Sequence, residues 1–237
     1  MAKFIGVMSG KGGVGKTTTS INLALAMHKK GSDVVLVEGN LSSPNLSIHL
    51  GGTYFPVTLH DVMQNKHPIK NAMYEHQTGL KIIPADISVD AMQLVNFQEL
   101  KKHAQDLHLY SDFVIIDGSP GLGRETTHLI ELADEIIVVT NPDQASVTDA
   151  KRLIEFAKRF NKLIIGVLIS KHKRRRYKLS IDEIEELLDT RVIGIVPECK
   201  KFEKSLHQKK PYLHLYPRKK ASKEYHKIAS IITGRVL

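Results

Sequence analysis

The sequence predicts an α/β protein: a single doubly wound, mainly parallel sheet flanked by helices. Short apolar segments of strand length alternate along the chain with amphipathic segments of helix length. Most of the strand segments are continuously apolar and β-branched, as expected for parallel strands covered on both faces. The 237 residues, 42% of them hydrophobic, can form one sizeable core. Because no linker, repeat or low-complexity segment interrupts the pattern, we expect one domain over residues 1–237.

The strand segments are runs of aliphatic residues, and they lie at Phe4–Met8, Val34–Val37, Leu80–Ile83, Phe113–Ile116, Glu135–Thr140, Leu163–Ile169 and Val192–Val196. The first helix is predicted from Thr17 to Lys30, because cations complement the negative end of its dipole and Gly31 follows as a C-terminal cap. Further helices are predicted over residues 97–108, 123–132, 144–160, 180–189 and 218–233. The segment from Gly51 to Thr78 has the weakest pattern and is interpreted as a mobile excursion.

The clearest functional signal is a Gly-x-x-x-x-Gly-Lys-Thr segment between the first strand and the first helix. Its glycines allow backbone N–H groups to converge on phosphate oxygens, and the helix N-terminus adds positive potential. Lys16 is expected to bridge the β- and γ-phosphates, and the Thr17 hydroxyl to ligate Mg²⁺. The residues predicted to bind nucleotide in this segment are Gly10, Lys11, Gly12, Gly13, Val14, Gly15, Lys16, Thr17 and Thr18.

Asp117 directly follows the strand segment Phe113–Ile116. Its side chain is therefore expected at the carboxyl edge of the sheet, beside Thr17, where Mg²⁺ must bind. The glycine-rich loop that continues to Gly123 can move, and the backbone at Gly121 is expected to meet the γ-phosphate.

Lys11 gives the segment from Ser9 to Thr18 the form of a deviant Walker A motif, and the chain resembles the MinD/ParA family of ATPases, P-loop NTPases of the SIMIBI type. The resemblance extends from Lys3 to Thr233. It implies ATP and Mg²⁺ as cofactors and an ATP-dependent homodimer, in which Lys11 reaches the phosphates bound by the partner. The MinD-like branch is favoured by the segments Asn141 to Val147 and Pro197 to Thr233.

The same resemblance implies two mobile segments and a base pocket. Switch I corresponds to residues 38–46 and switch II to residues 117–123. Asn141 and Pro142, together with Pro197 and Glu198, are implied to line the pocket for the base. Glu38 is implied as a further Mg²⁺ ligand beside Thr17 and Asp117. The residues expected to act in catalysis are Lys11, Lys16, Asn40 and Asp117.

The chain departs from the family pattern at three positions. Glu38 and Asn40 stand where the family usually has two aspartates. Asn40 cannot act as a carboxylate base, but its amide oxygen can orient the attacking water, so we expect slow hydrolysis. Ser170 stands where many members have an asparagine that reads adenine, so the resemblance alone implies ATP rather than GTP.

Positive charge is concentrated near the C-terminus. The formal net charge is +9, and residues 171–237 carry 18 Lys and Arg against 8 Asp and Glu. Six of those cations lie between Lys171 and Lys178. This segment predicts weak, non-specific contact with DNA or with an anionic membrane surface, with a simple solvated face as the alternative.

No apolar run approaches the ~18 residues that a membrane span requires. We therefore expect a cytoplasmic protein, peripheral to membrane or nucleoid at most. MinD proteins of the division system carry a C-terminal amphipathic membrane helix, whereas this chain stops at Leu237 after a helix whose apolar face has core-packing spacing, so an autonomous anchor is not expected.

Three functions compete. The first is an ATP-dependent dimer that recruits an unidentified protein partner and positions a structure such as the division site, the chromosome or a surface appendage. The second is a metal-cluster or cofactor-assembly ATPase, whose relatives use paired cysteines, whereas this chain has Cys199 alone. The third is an adaptor that binds ATP without hydrolysing it, which the amide at Asn40 would permit.

Overall fold

The computed structural model describes residues 1–52, 54–92, 96–173 and 177–234. Within these ranges the strands are β1 (Lys3–Ser9), β2 (Val34–Glu38), β3 (Tyr74–Glu75), β4 (Lys81–Ile83), β5 (Phe113–Pro120), β6 (Glu135–Thr140), β7 (Leu163–His172) and β8 (Val192–Pro197). The α-helices are α1 (Lys16–Lys29), α2 (Leu46–Leu50), α3 (Leu59–Met63), α4 (Val89–Met92), α5 (Phe97–Ala104), α6 (Arg124–Leu132), α7 (Gln144–Arg159), α8 (Ile181–Leu188), α9 (Lys201–His207), α10 (Tyr212–Leu215) and α11 (Lys220–Thr233). Short 3₁₀ segments lie at Ile69–Ala72 and Gln105–Leu109.

The strands form one sheet in the order β3-β4-β2-β5-β1-β6-β7-β8. All neighbouring strands are parallel except β3, which pairs antiparallel with β4. Strands β2 to β5 lie on one side of β1 and strands β6 to β8 on the other. The change of side between β5 and β6 opens a crevice at the carboxyl ends of the central strands. The predicted doubly wound, mainly parallel sheet is confirmed.

Each face of the sheet has its own apolar core because successive side chains of a strand point to opposite faces. In β1, Phe4 and Met8 pack on the face that α6, α7 and α8 cover. Ile5 and Val7 pack on the other face, with α1 and α11. The central strands are therefore buried on both sides, which explains their continuously apolar sequences.

The segment Gly51 to Thr78, interpreted from sequence as a mobile excursion, is instead largely packed onto the protein body. Thr58 and Asp61 form a capping box that begins α3. Leu59 and Val62 of that helix are buried in the core, as is Ile69 of the next turn. The sequence pattern is weak because the elements are too short to show a period.

Other differences concern element ends and short helices. The helix predicted over residues 97–108 ends at Ala104 and continues as a 3₁₀ turn. Strand β5 runs past Asp117 to Pro120, so the start of switch II is extended backbone. The short elements α2, α3, α4, α9, α10 and β3 were not predicted. The predicted glycine cap of α1 is confirmed, since Gly31 has φ +82° and its N–H donates to the His28 carbonyl.

Candidate nucleotide-binding site

The segment from Gly10 to Thr17 turns sharply from β1 into α1, and glycines occupy the backbone positions that require them. Gly13 has φ +77° and Gly15 has φ +100°, both in the left-handed region. Gly15 is also the N-cap of α1, so Lys16 is the first helical residue. A Cβ at Gly10 would lie 2.2 Å from the Asp149 carbonyl oxygen of α7, which explains why the loop begins with glycine. The result is a phosphate loop at a helix N-terminus.

Lys16 and Asp117 form a buried ion pair at the base of this loop. Lys16 Nζ lies 3.1 Å from Asp117 Oδ1, and the residues are only 8% and 0% exposed. The Ser20 hydroxyl donates to the same oxygen at 2.8 Å. Two parallel strands and α1 thus bring together residues about a hundred positions apart. The sequence placed Asp117 beside Thr17 but did not predict its pairing with Lys16. Sequence reasoning missed Ser20, although its place one turn after Lys16 could have indicated it.

The second oxygen of Asp117, Oδ2, shows whether the residues present suit a cation. Asp117 Oδ2 is buried and has no hydrogen-bond partner among the described residues. A buried carboxylate oxygen without a partner is costly unless a ligand engages it. Hard oxygen donors are the groups that Mg²⁺ prefers, and Thr17 lies in the adjacent first turn of α1. Thr17 and Asp117 therefore fit the magnesium site expected from the sequence.

Glu38 ends β2 next to this pair and is fully buried. Its Oε1 accepts the N–H of Asn40 at 3.1 Å, and its Oε2 accepts the N–H groups of Asn45 and Leu46, each at 2.7 Å. Burial, with the Asp117 carboxylate nearby, raises the pKa of Glu38 from 4.5 to about 8. Both oxygens are thus used to hold switch I, and the role of Glu38 as a metal ligand stays a prediction.

Asn40 was predicted to orient water, but its side-chain amide bonds to the backbone within switch I. Its Nδ2 donates to the Ser43 carbonyl, and the side chain is largely buried. Leu41 and Ser42 then donate their backbone N–H groups to Glu125 of α6, a residue that sequence reasoning missed. In the described arrangement, switch I is held by side chains from two directions.

Lys11 and Gly121 lie at the rim of the phosphate loop. Lys11 is exposed, in contrast to Lys16. Gly121 has φ +80°, and its N–H donates to the Ser9 carbonyl at 2.9 Å, which fixes switch II against the end of β1. The N–H of Gly121 is therefore directed at β1 in this arrangement, and its predicted contact with a γ-phosphate would require switch II to move.

A cleft of about 540 Å³ opens beside Gly15 and Thr18 and is large enough for a nucleoside. Pro197 and Glu198, implied to line the base pocket, do line this cleft, as does Ser170. Its wall also includes Tyr212 of α10.

Asn141 and Pro142, implied to line the same pocket, do not line this cleft. Once its amide is oriented to suit the neighbouring carbonyls, Asn141 donates to Val14 at 3.2 Å and to Ser170 at 3.1 Å. Pro142 is buried, and its carbonyl accepts the Leu179 N–H. In this arrangement Asn141 supports the phosphate loop. The place of Asn141 and Pro142 at the base pocket stays a prediction.

The basic segment from Lys171 to Lys178 is only partly described, because Arg174 to Arg176 lie outside the described residues. Lys171 Nζ donates to the Gly13 carbonyl of the phosphate loop at 2.6 Å. Lys178 Nζ lies 3.6 Å from an Asp143 oxygen. Two of the six predicted surface cations therefore make contacts within the chain.

A family model described as "ParA: NUBPL iron-transfer P-loop NTPase" matches residues 1–233. The chain belongs to the ParA family of P-loop NTPases. An uncharacterised ATP-binding protein of Methanocaldococcus jannaschii is 36% identical over 99% of the chain and 89% of its own length. The septum site-determining protein MinD of Thermotoga maritima is 30% identical over 84% of the chain and 76% of its own length.

Solved structures agree with this assignment of the ParA-family chain. The septum site-determining protein MinD of Pyrococcus horikoshii, complexed with Mg-ADP, superposes with a TM-score of 0.92 at 27% identity, and the match covers 98% of this chain and 96% of that one. The resemblance to MinD-type ATPases is therefore confirmed. Among the described helices of this ParA-family protein, every one is too short or too polar to cross a membrane.

Proposed function

We propose that this chain is a slow, Mg²⁺-dependent ATPase whose ATP-dependent dimerisation positions a cellular structure. The observation that carries the proposal is the contrast between the two lysines of the phosphate loop. Lys16 is buried against Asp117, whereas Lys11 is exposed at the rim of the loop. This contrast supports Lys16 as the lysine that binds the phosphates of its own chain's nucleotide, and Lys11 as the lysine that reaches a second copy.

The described residues support ATP with Mg²⁺ as the ligand. The backbone of residues 10–18 would hold the phosphates, and Pro197 and Glu198 would border the base. Thr17 and Asp117 would hold Mg²⁺, which neutralises charge on the phosphates. Glu38 would join them only after releasing the N–H groups of switch I.

Slow turnover follows from Asn40. An amide can orient a water molecule but cannot remove its proton, so the rate gain from a general base is absent. In the described arrangement the Asn40 amide also donates to Ser43, which must be released before it can meet water. We therefore propose that opening and reclosing of switch I limits hydrolysis.

A role in positioning is supported by the septum site-determining relatives. We propose that the ATP-bound dimer recruits a protein partner, and that the protein is cytoplasmic and acts at a membrane or nucleoid surface. Lys173, which is exposed, and the undescribed Arg174 to Arg176 would add weak contact with DNA or anionic lipid. A salt titration of DNA and vesicle binding, with and without ATP, distinguishes these surfaces.

Light scattering tests the dimer switch. The wild type should double its mass with Mg²⁺ and a non-hydrolysable ATP analogue and remain a monomer with ADP. Lys11→Ala should bind the analogue but stay monomeric, whereas Lys16→Ala should lose binding. Lys227→Ala changes an exposed lysine of α11 and should behave as the wild type. A Lys11→Ala protein that dimerises normally would overturn the proposed trans role.

The family model's description supports iron transfer as a second candidate function. The chain has one cysteine, Cys199, so a cluster would have to be shared between copies of the chain. Cys199 lines the nucleotide cleft, which would link cluster and nucleotide binding. Iron analysis of protein purified without oxygen, compared with Cys199→Ser, tests this candidate: iron must be bound in the wild type and lost in the variant.

A further inference from the structure

Glu125 contacts both switch segments at once. It lies in the first turn of α6, immediately after switch II, and its side chain crosses to switch I. Oε1 accepts the N–H of Leu41 at 2.7 Å and the N–H of Ser42 at 3.0 Å. Oε2 accepts the hydroxyl hydrogen of Ser119, in switch II. Each carboxylate oxygen therefore serves one switch.

Switch I depends on such contacts because little of its own backbone is hydrogen-bonded in a regular element. Its N–H groups at residues 40, 45 and 46 are held by Glu38, and those at residues 41 and 42 by Glu125. Loss of Glu38 leaves the N–H groups of residues 40, 45 and 46 without their acceptor. Loss of Glu125 leaves the Leu41 N–H with only the Gly39 carbonyl, at 3.1 Å, and returns the exposed Ser42 N–H to solvent. The two glutamates therefore hold switch I together with the bond from the Gly39 N–H to the Asp117 carbonyl.

The two glutamates differ in what they are attached to. Glu38 ends β2, which is fixed in the central sheet. Glu125 lies two residues after Gly123, so a displacement of switch II that includes the start of α6 would carry Glu125 with it.

We propose that Glu125 is a positioning residue that couples switch II to switch I, so that both close together around the bound triphosphate. Movement of Ser119 and the start of α6 is transmitted through one carboxylate to Leu41 and Ser42, and so to Asn40. The inference rests on the proposed ATPase function. It assigns to Glu125 no contact with the nucleotide itself.

Kinetics and hydrogen exchange test the coupling. Glu125→Ala should lower kcat about tenfold while changing the KM for ATP less than about threefold, since positioning acts on the reacting geometry more than on binding. Glu125→Gln keeps an acceptor for the switch I N–H groups and should recover most of kcat. Glu131→Ala, on the exposed side of the same helix, is the matched control and should behave as the wild type.

The exchange experiment uses a non-hydrolysable ATP analogue with Mg²⁺. In the wild type the analogue should slow amide exchange in residues 40–46 and in residues 117–123. In Glu125→Ala it should protect residues 117–123 alone. Ser119→Ala should give the same exchange pattern. The double variant should lose no more protection than Glu125→Ala, because both residues belong to the same contact between the switches.

Two results would overturn the proposal. One is simultaneous protection of both switches in Glu125→Ala. The other is a decrease of kcat, ATP affinity and melting temperature together in Glu125→Ala, which would mean that the substitution only destabilises the fold. Failure of the proposed function is distinguishable, because it would appear as absent nucleotide binding in the wild type, whereas failure of the coupling leaves wild-type binding intact.

Discussion

Lys16 Nζ lies 3.1 Å from Asp117 Oδ1, and both side chains are buried beneath the phosphate loop. The pair neutralises each charge and keeps both groups at the proposed sites of the triphosphate and its cation. A buried charge that loses its partner is strongly destabilising, because nothing repays its desolvation. The same contact therefore contributes to folding and to ligand binding, and variants can separate the two contributions.

Lys16→Met should abolish ATP binding and lower the free energy of unfolding by about 3–5 kcal/mol, since it leaves Asp117 unpaired in the interior. Asp117→Asn alone leaves the Lys16 ammonium without its ionic partner and should also destabilise. The double variant should recover most of the stability but none of the ATPase activity. Urea unfolding followed by circular dichroism, which suits a chain without tryptophan, measures the stability, and phosphate release measures the activity.

The coupling energy between the two substitutions measures what the ion pair contributes to the free energy of unfolding. If the double variant is as unstable as the sum of the single variants, the ion pair makes no contribution to the fold. If the double variant retains phosphate release, the nucleotide site lies elsewhere.

Asn40→Asp should raise kcat for ATP by at least about tenfold, the lower end of what a general base supplies with allowance for imperfect placement. The substitution places an aspartate at the position where the family resemblance implies one. It also removes the amide that donates to the Ser43 carbonyl and places a carboxylate near that oxygen, which favours opening of switch I. Steady-state phosphate release at saturating ATP is the measurement.

Asn45→Asp is the control, because Asn45 Nδ2 donates to the same Ser43 carbonyl at 2.6 Å. It loosens the same loop without placing a carboxylate at position 40. Equal acceleration by both substitutions would mean that loop release, and not proton transfer, explains the gain. If Asn40→Asp does not raise kcat, position 40 has no role in catalysis.

The sheet and the phosphate loop were predictable because local sequence and topology agree. The succession of strand, glycine-rich turn and helix predicts the loop conformation of Gly10 to Thr17. The parallel pairing of β1 with β5 then brings the end of β5 beside that loop. The segment around α3 was misjudged because short elements have no measurable period, although its capping residues Thr58 and Asp61 were visible in the sequence.

Side-chain contacts between distant loops could not be predicted in the same way. Glu125 meets Leu41 from 84 positions away, and no spacing rule connects them. Asn141 was assigned to the base pocket by the family resemblance, and no sequence pattern indicates that its amide meets Val14 and Ser170. A motif predicts the positions of residues within one element, whereas contacts between residues of different elements depend on tertiary packing.

A buried histidine makes stability depend on pH. His60 of α3 is almost fully buried, and its Nδ1 accepts the Asp86 N–H at 3.1 Å. Burial lowers the pKa of His60 in the folded protein, against the opposing effect of nearby carboxylates, including Asp86. Below a pH of about 6.5 the unfolded chain therefore binds a proton that the folded chain does not, and stability is lost as the pH falls further.

His60→Asn keeps a hydrogen-bond acceptor but does not titrate in this range, so it should reduce the loss of unfolding free energy between pH 7 and pH 5. Part of the loss should remain, because burial also lowers the pKa values of His49, His76 and His226. His67→Asn changes an exposed histidine of the same region and is the control. Urea titrations at both pH values compare the three proteins. An unchanged pH dependence in His60→Asn would mean that His60 is protonated in the folded state, with the Asp86 N–H bond broken.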